Sequence, residues 1–214
     1  EGTARTALSR MQAAGEVEGS DGGYRLGGRL AARGERQAAS RRAATRAWAG
    51  TWELAIVFRG AGRPADARAL LRDALRSLRF GELREGIWCR PDNLDPERSP
   101  DAALVVGQWC QWWTSAEPSH EPDVDEMFEL DDWVALAEEL QDEMADLLPR
   151  LEAGDHEALA PGFVASAAVL RHLQHDPLLP VELLPEEWPG DALRADYDRY
   201  DAAYRSLLGA YLRS

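Results

Sequence analysis

The sequence predicts an α+β protein made of three consecutive parts, and three patterns along the chain support that fold class. Residues 1–28 combine a helical apolar pattern with two short strand-like pieces. Residues 48–118 alternate strand-like and helical segments, whereas residues 125–214 have mainly helical periodicity. A linker helix over residues 29–47 is expected to join the first two parts.

The N-terminal part has the pattern of a DNA-reading element. Ala4, Ala7, Leu8 and Met11 have the spacing of one helical face, and polar residues occupy the other face. Two strand-like pieces around a Ser-Asp-Gly-Gly turn follow within residues 16–26. This order predicts a recognition helix and wing, that is, a truncated winged helix-turn-helix whose first helices would precede Glu1. The candidate DNA contacts are Thr3, Arg5, Thr6, Ser9 and Arg10 on the helix and Arg25 on the wing.

The predicted linker helix is rich in arginine and alanine, so its polar face is basic. Two interpretations stay open. The helix lies near the DNA backbone, or it is a solvated connection between two domains.

Residues 48–118 have the element order β-α-β-β-α-β. The expected strands cover 51–59, 80–83, 86–90 and 110–115, and the expected helices begin at Pro64 and Pro100. This order is that of a ferredoxin-like fold. Such a sheet carries helices on one face, which leaves the other face free for a second domain or a second subunit.

The last part predicts an α-helical domain. Apolar residues recur at helical spacing over 130–151, 157–174 and 191–212. The connection over 176–190 contains too many prolines for a helix, yet it also carries several leucines and a tryptophan. We therefore expect an ordered, packed connection.

Charge divides the chain into a basic beginning and an acidic end. The net charge is −14, but residues 1–50 carry +4 and residues 101–214 carry −19. Salt screens charges over about 10 Å, so the acidic part does not exclude DNA binding by the basic part. Every basic side chain other than histidine is an arginine.

Nothing in the sequence indicates a membrane or secreted protein. No apolar run approaches the roughly 18 residues that span a bilayer, and the first residues lack the apolar core of a signal peptide. Cys89 and Cys110 do not form a CxxC pair, so we expect reduced thiols in a cytoplasmic protein.

Motifs of common enzyme classes are absent from the sequence, which predicts a protein that is not an enzyme and needs no cofactor. There is no glycine-rich phosphate loop, GxSxG elbow or HExxH motif. His172, His175 and Asp176 could supply two imidazoles to a metal, but the other ligands of such a site are missing. The acidic clusters at 123–126 and 131–132 are better explained as solvated surface. No metal site is predicted.

The chain resembles the PaaX family of transcriptional repressors. The matching segments span most of the chain, in the family's order, at residues 4–10, 23–26, 48–54, 86–93, 176–180 and 184–190. The resemblance implies the same three-part fold and a dimer that binds double-stranded operator DNA. It also implies release by an acyl-CoA thioester, phenylacetyl-CoA in the repressors of phenylacetate catabolism.

An acyl-CoA effector needs cations for its phosphates. The candidates lie in the middle and C-terminal domains, and a cleft between these domains is the expected effector site. These candidates are Arg59, Arg84, Arg90, Arg171, Arg194 and Arg199.

Two other functions compete with the regulator. One is an acidic helical module that binds a basic protein partner and has no DNA affinity. The other is a metal-dependent nuclease-like domain, because small CRISPR-associated nuclease subunits share the strand order of the middle domain. Those proteins carry an aspartate at the end of the first strand, whereas the predicted strand here ends at Arg59.

Overall fold

The computed structural model separates the chain into two compact units, Glu1–Arg42 and Ala43–Ser214. The residues that the structure describes are 10, 17–20, 23–26, 41, 44–58 and 64–213. In the first unit, β1 (Val17–Ser20) and β2 (Gly23–Leu26) form an antiparallel hairpin in which Val17 pairs with Leu26. The hairpin lies where the sequence predicts a wing. The predicted recognition helix, apart from Arg10, and most of the predicted linker helix lie outside the described residues.

The second unit begins with a four-stranded antiparallel sheet and two helices. Their order along the chain is β3 (Trp52–Val57), α1 (Ala65–Ser77), β4 (Gly81–Arg84), β5 (Ile87–Pro91), α2 (Pro100–Trp109) and β6 (Cys110–Ala116). The strands lie in the order β4-β5-β3-β6, with every neighbouring pair antiparallel. The predicted order of these elements is therefore found.

Both helices of this segment pack on one face of the sheet. Ala55 and Trp88 are paired neighbours on β3 and β5, and they share a buried core with Leu71, Leu75 and Val106 of the helices. Because successive side chains of a strand point to opposite faces, Leu54 and its cross-strand partner Trp113 lie on the other face.

Four further helices follow in the described part of this unit. They are α3 (Val124–Phe128), α4 (Leu130–Glu152), α5 (Leu159–Leu173) and α6 (Gly190–Tyr211), with a short 3₁₀ turn before α5 and another after it. Helices α4, α5 and α6 each bury one apolar face in a shared core. Leu140 of α4, Val169 of α5 and Leu193 of α6 belong to this core. Among the described helices, none is long and apolar enough to cross a membrane.

Three details of this unit differ from the sequence-based expectations. Helix α3 was not expected, because a five-residue helix is too short to produce a readable period. The helical spacing of apolar residues in α1 predicts that Leu70 is buried, but it is 55% exposed. The predicted first strand ends at Val57, two residues early.

Candidate functional site

A cavity of about 770 Å³ lies in the second unit, between its sheet segment (residues 52–116) and its helical segment (residues 124–211). Phe80 and Trp88 line it from the sheet side, whereas Met127, Leu136 and Leu140 line it from the helices. This volume and apolar lining are those of a small-molecule site. The cavity lies between the segments for which the sequence predicts a middle and a C-terminal domain.

Helix α3 closes one side of the cavity because Gly81 lets it approach the sheet. A Cβ at Gly81 would lie 3.0 Å from the carbonyl oxygen of Met127 and 3.0 Å from the ring of Phe128. The helix begins where the Asp123 carboxylate accepts a hydrogen bond from the Glu126 amide at 3.1 Å. A side chain at position 81 would therefore force α3 to shift away from β4.

The proline-rich connection after α5 fastens the helical segment to the sheet segment. We call residues 174–180 the strap. Arg90 is fully buried and donates hydrogen bonds to the carbonyl oxygens of Pro177 and Leu178, both at 3.5 Å. Asn93 donates to the same Leu178 oxygen at 3.0 Å, and Arg79 donates to the carbonyl oxygen of Gln174. Side chains of the sheet segment thus donate the hydrogen bonds that these backbone oxygens of the strap accept.

Burial lowers the pKa of both arginines that bind the strap. Desolvation lowers the pKa of Arg79 to about 10 and the pKa of Arg90 to about 9. Both guanidinium groups therefore stay charged at neutral pH. Their charge strengthens the hydrogen bonds to the strap.

Three aromatic rings stack beside the cavity. Trp133 lies between His172 and Trp188, with ring centroids 4.3 Å apart on both sides and interplanar angles of 26° and 21°. Trp133 and His172 line the cavity. Since both faces of the Trp133 indole are covered, its orientation is fixed by packing.

The charged residues that line the cavity have both signs. Arg76 and Arg171 are exposed cations, and Arg79 is the partly buried cation bound to the strap. Four exposed carboxylates also line the cavity, namely Glu82, Glu126, Glu129 and Asp132. The two exposed arginines are therefore the available partners for an anionic part of a ligand.

Stability should depend on the protonation of His172. Burial lowers its pKa, opposed by smaller upward effects from the Trp133 backbone and Asp176. The unfolded chain titrates near 6.5. Because the folded state disfavours the proton, the stabilisation is complete above pH 6.5 and decreases as the pH falls through that value. The free energy of unfolding should therefore fall between pH 7.5 and pH 5.5 in the wild type. We expect a smaller fall in His172→Phe, which keeps a stacked ring but does not titrate.

Urea denaturation at the two pH values measures this effect. His120→Phe is the matched control, because His120 is exposed. Identical pH dependence in the wild type and His172→Phe would show that His172 does not titrate with folding.

The structure places the six predicted effector-binding arginines in different surroundings. Arg171 lines the cavity. Arg84 is exposed on β4, and Arg199 is exposed on α6, 3.5 Å from Glu152. Arg90 and Arg194 are buried and engaged by protein groups, while Arg59 lies outside the described residues. Sequence reasoning missed Arg76 and Arg79, because no local signal shows that the end of α1 meets the cavity.

Of the predicted DNA contacts, Arg10 is described as helical and exposed, and Arg25 belongs to β2, where it pairs with Glu18. The others, Thr3, Arg5, Thr6 and Ser9, lie outside the described residues.

The histidines considered as metal ligands have other contacts. His172 stacks on Trp133, and the Nδ1 atom of His175 lies 2.7 Å from the carbonyl oxygen of Arg171. In the described part of the chain, no group of three or more histidine, cysteine or acidic residues is arranged to hold a metal ion.

Comparison with known proteins identifies the family. Residues 128–214 match the family model described as PaaX-like protein C-terminal domain. A solved structure, the uncharacterized protein Rv0674 from Mycobacterium tuberculosis, is 40% identical to this chain with a TM-score of 0.76. The similarity covers 98% of this chain and 84% of that one. The chain belongs to the PaaX-like family. No curated protein matches it.

The resemblance inferred from the sequence is thus confirmed. The matched region of this PaaX-like protein includes α4, α5 and α6, and therefore the helical wall of the cavity with Trp133 and Arg171. The PaaX-like family is a family of regulators.

Proposed function

We propose that this PaaX-like protein is a DNA-binding transcriptional repressor that leaves its operator when a small acyl-type effector binds. Family membership carries the proposal, because residues 128–214 match the model of a regulator family. Phenylacetyl-CoA is the effector that the family resemblance suggests.

Three features of residues 1–50 support DNA binding. The β1–β2 hairpin lies at the predicted position of a wing, and Arg25 lies on its second strand. Residues 1–50 carry a net charge of +4, in an otherwise acidic chain. Arginine on a wing contacts phosphates or the minor groove, whereas Arg5, Thr6 and neighbouring residues would read bases in the major groove.

The cavity supports the effector part of the proposal. Its apolar walls suit an acyl group, and Arg76 and Arg171 would meet the negative charges of a thioester's phosphates. An effector that binds more tightly to the DNA-incompetent arrangement shifts the population towards it and so lowers operator occupancy.

We also propose a homodimer built on a ferredoxin-like middle domain. The strand order β4-β5-β3-β6 supports that classification. Ile56 and Trp113 lie on the face opposite to the packed helices, 37% and 55% exposed. Apolar side chains on a sheet face suit contact with a second subunit, and sedimentation equilibrium of the full-length protein tests this part.

A charge substitution on the hairpin tests the DNA-binding mode. Arg25→Ala is expected to weaken binding to operator and unrelated DNA by the same factor. It should also reduce the slope of log affinity against log salt by about one, because one phosphate contact is lost. Arg84→Ala is the matched control, since Arg84 is an exposed arginine of the second unit. Fluorescence anisotropy at several salt concentrations measures both quantities, and an unchanged affinity and slope would contradict a wing contact.

A substitution on the recognition helix has a different expected result. Arg5→Ala should weaken operator binding by about 1–3 kcal/mol if the side chain reads a guanine, and it should affect unrelated DNA less. The same titration measures this difference. Equal operator affinity in the variant and the wild type would exclude base reading by Arg5.

The acidic face of α4 favours one alternative. Glu138, Glu139, Asp142, Glu143 and Asp146 are all exposed on this helix. Such a surface could bind a basic protein partner. This alternative predicts no DNA binding even at low salt, so the same titration distinguishes the two functions.

A further inference from the structure

Two polar atoms on the side chains that line the cavity lack hydrogen-bond partners within the described part of the chain. They are Nε1 of Trp133 and Nε2 of His172. Each residue is only 6% exposed. Buried polar atoms in native proteins nearly always have a partner, so a pair without one beside a cavity points to a ligand.

The chemistry of these two atoms restricts the group that satisfies them. An indole Nε1–H can only donate a hydrogen bond, whereas an imidazole Nε2 donates or accepts according to its tautomer. A ligand must therefore offer an acceptor to Trp133. A carbonyl or carboxylate oxygen meets this requirement.

The stacking geometry limits where that oxygen binds. His172 and Trp188 cover the two faces of Trp133, at centroid distances of 4.3 Å. Only the edge of the indole, which carries Nε1, is left for a polar contact. The donor is thus held in place before a ligand arrives, which lowers the entropic cost of binding.

The rest of the lining indicates an apolar body for the ligand. Apolar side chains line the cavity, namely Phe80, Trp88, Met127, Leu136 and Leu140. The charges at the cavity include only two exposed arginines against four exposed carboxylates. A molecule with an apolar body and one oxygen-bearing group fits this lining.

We propose that Trp133 and His172 determine ligand specificity by binding the carbonyl or carboxylate oxygen of an apolar acyl compound in the cavity. This inference rests on the proposed function, since the ligand would be the effector. The acyl group belongs either to a free carboxylic acid or to its thioester, and both carry the required oxygen.

Isothermal titration calorimetry of the full-length protein, in the absence of DNA, tests whether Trp133 and His172 contribute to ligand affinity. Trp133→Phe keeps a stacked ring but removes the Nε1–H donor. We expect it to weaken the binding of phenylacetate or phenylacetyl-CoA about tenfold. Ethylbenzene, which has no oxygen, should bind the variant and the wild type equally. Trp188→Phe is the matched control, because Trp188 belongs to the same stack on the far side of Trp133.

His172→Phe is a second variant, for which we expect the same loss of affinity for the acyl probes. Thermal melting verifies that both variants are folded. A loss with phenylacetate identifies the free acid as ligand, and a loss with the thioester alone identifies the thioester. Unchanged affinity for acyl probes in both folded variants would overturn the proposal. An equal loss for ethylbenzene, or no binding of either acyl probe to the wild type at millimolar concentration, would also overturn it. Because DNA is absent, these results are independent of operator binding.

Discussion

Arg90→Met is expected to lower the free energy of unfolding by about 3–5 kcal/mol. Arg90 has no exposed surface, and its guanidinium donates to the Asn93 side chain at 2.5 Å as well as to the strap. Methionine fills a similar volume but donates nothing. The carbonyl oxygen of Pro177 would lose this donor, the Leu178 oxygen would keep only the Asn93 bond, and Glu53 would lose a cation 3.9 Å away. Unsatisfied buried groups are costly because water cannot replace the lost partner.

Urea denaturation measures this loss, and Arg84→Met is the matched control on the neighbouring strand. Arg84 is exposed, so we expect a change within about 0.5 kcal/mol there. The same small change for Arg90→Met would show that the strap does not depend on this cation.

Arg194→Met is expected to cost a similar amount, about 3–5 kcal/mol, because it leaves a buried carboxylate without its cation. Asp176 is 2% exposed and accepts hydrogen bonds from Arg194 and from the Leu178 amide, the latter at 2.8 Å. This ion pair joins α6 to the strap. Arg199→Met on the same helix is the control, since the Arg199 side chain is 69% exposed.

A double variant separates the pair from the rest of the packing. Asp176→Asn keeps the shape of the side chain and removes its charge, so combining it with Arg194→Met should recover part of the loss. The expected coupling energy is about 1–3 kcal/mol. Strictly additive losses in urea denaturation would contradict an energetic link between the two side chains.

Regular elements of the second unit were predictable because their apolar patterns can be read from the sequence. The helix expected over 130–151 is found as Leu130–Glu152, and the strand expected over 110–115 is found as Cys110–Ala116. The proline-rich connection, expected to be packed, buries Asp176, Leu179 and neighbouring residues. Its apolar side chains could not remain in water, which is a property of composition alone.

The cavity residues were less predictable because tertiary contacts decide their roles. The sequence alone presents all arginines as available cations. In the structure, Arg90 donates to a carbonyl oxygen of the strap and Arg194 is paired with the Asp176 carboxylate. His172 was considered as a metal ligand from its spacing to His175, whereas it stacks on Trp133 of another helix. Pairings between residues that are distant in sequence leave no local pattern.

The central claim is that the protein binds operator DNA and releases it in response to an effector. The most direct measurement is a salt-dependent titration of the natural full-length protein with its own upstream promoter and with unrelated DNA, with and without phenylacetyl-CoA. We predict preferential promoter binding that weakens with rising salt and is abolished by the thioester. Absence of binding to either DNA at low salt would contradict the claim and favour the acidic interaction module.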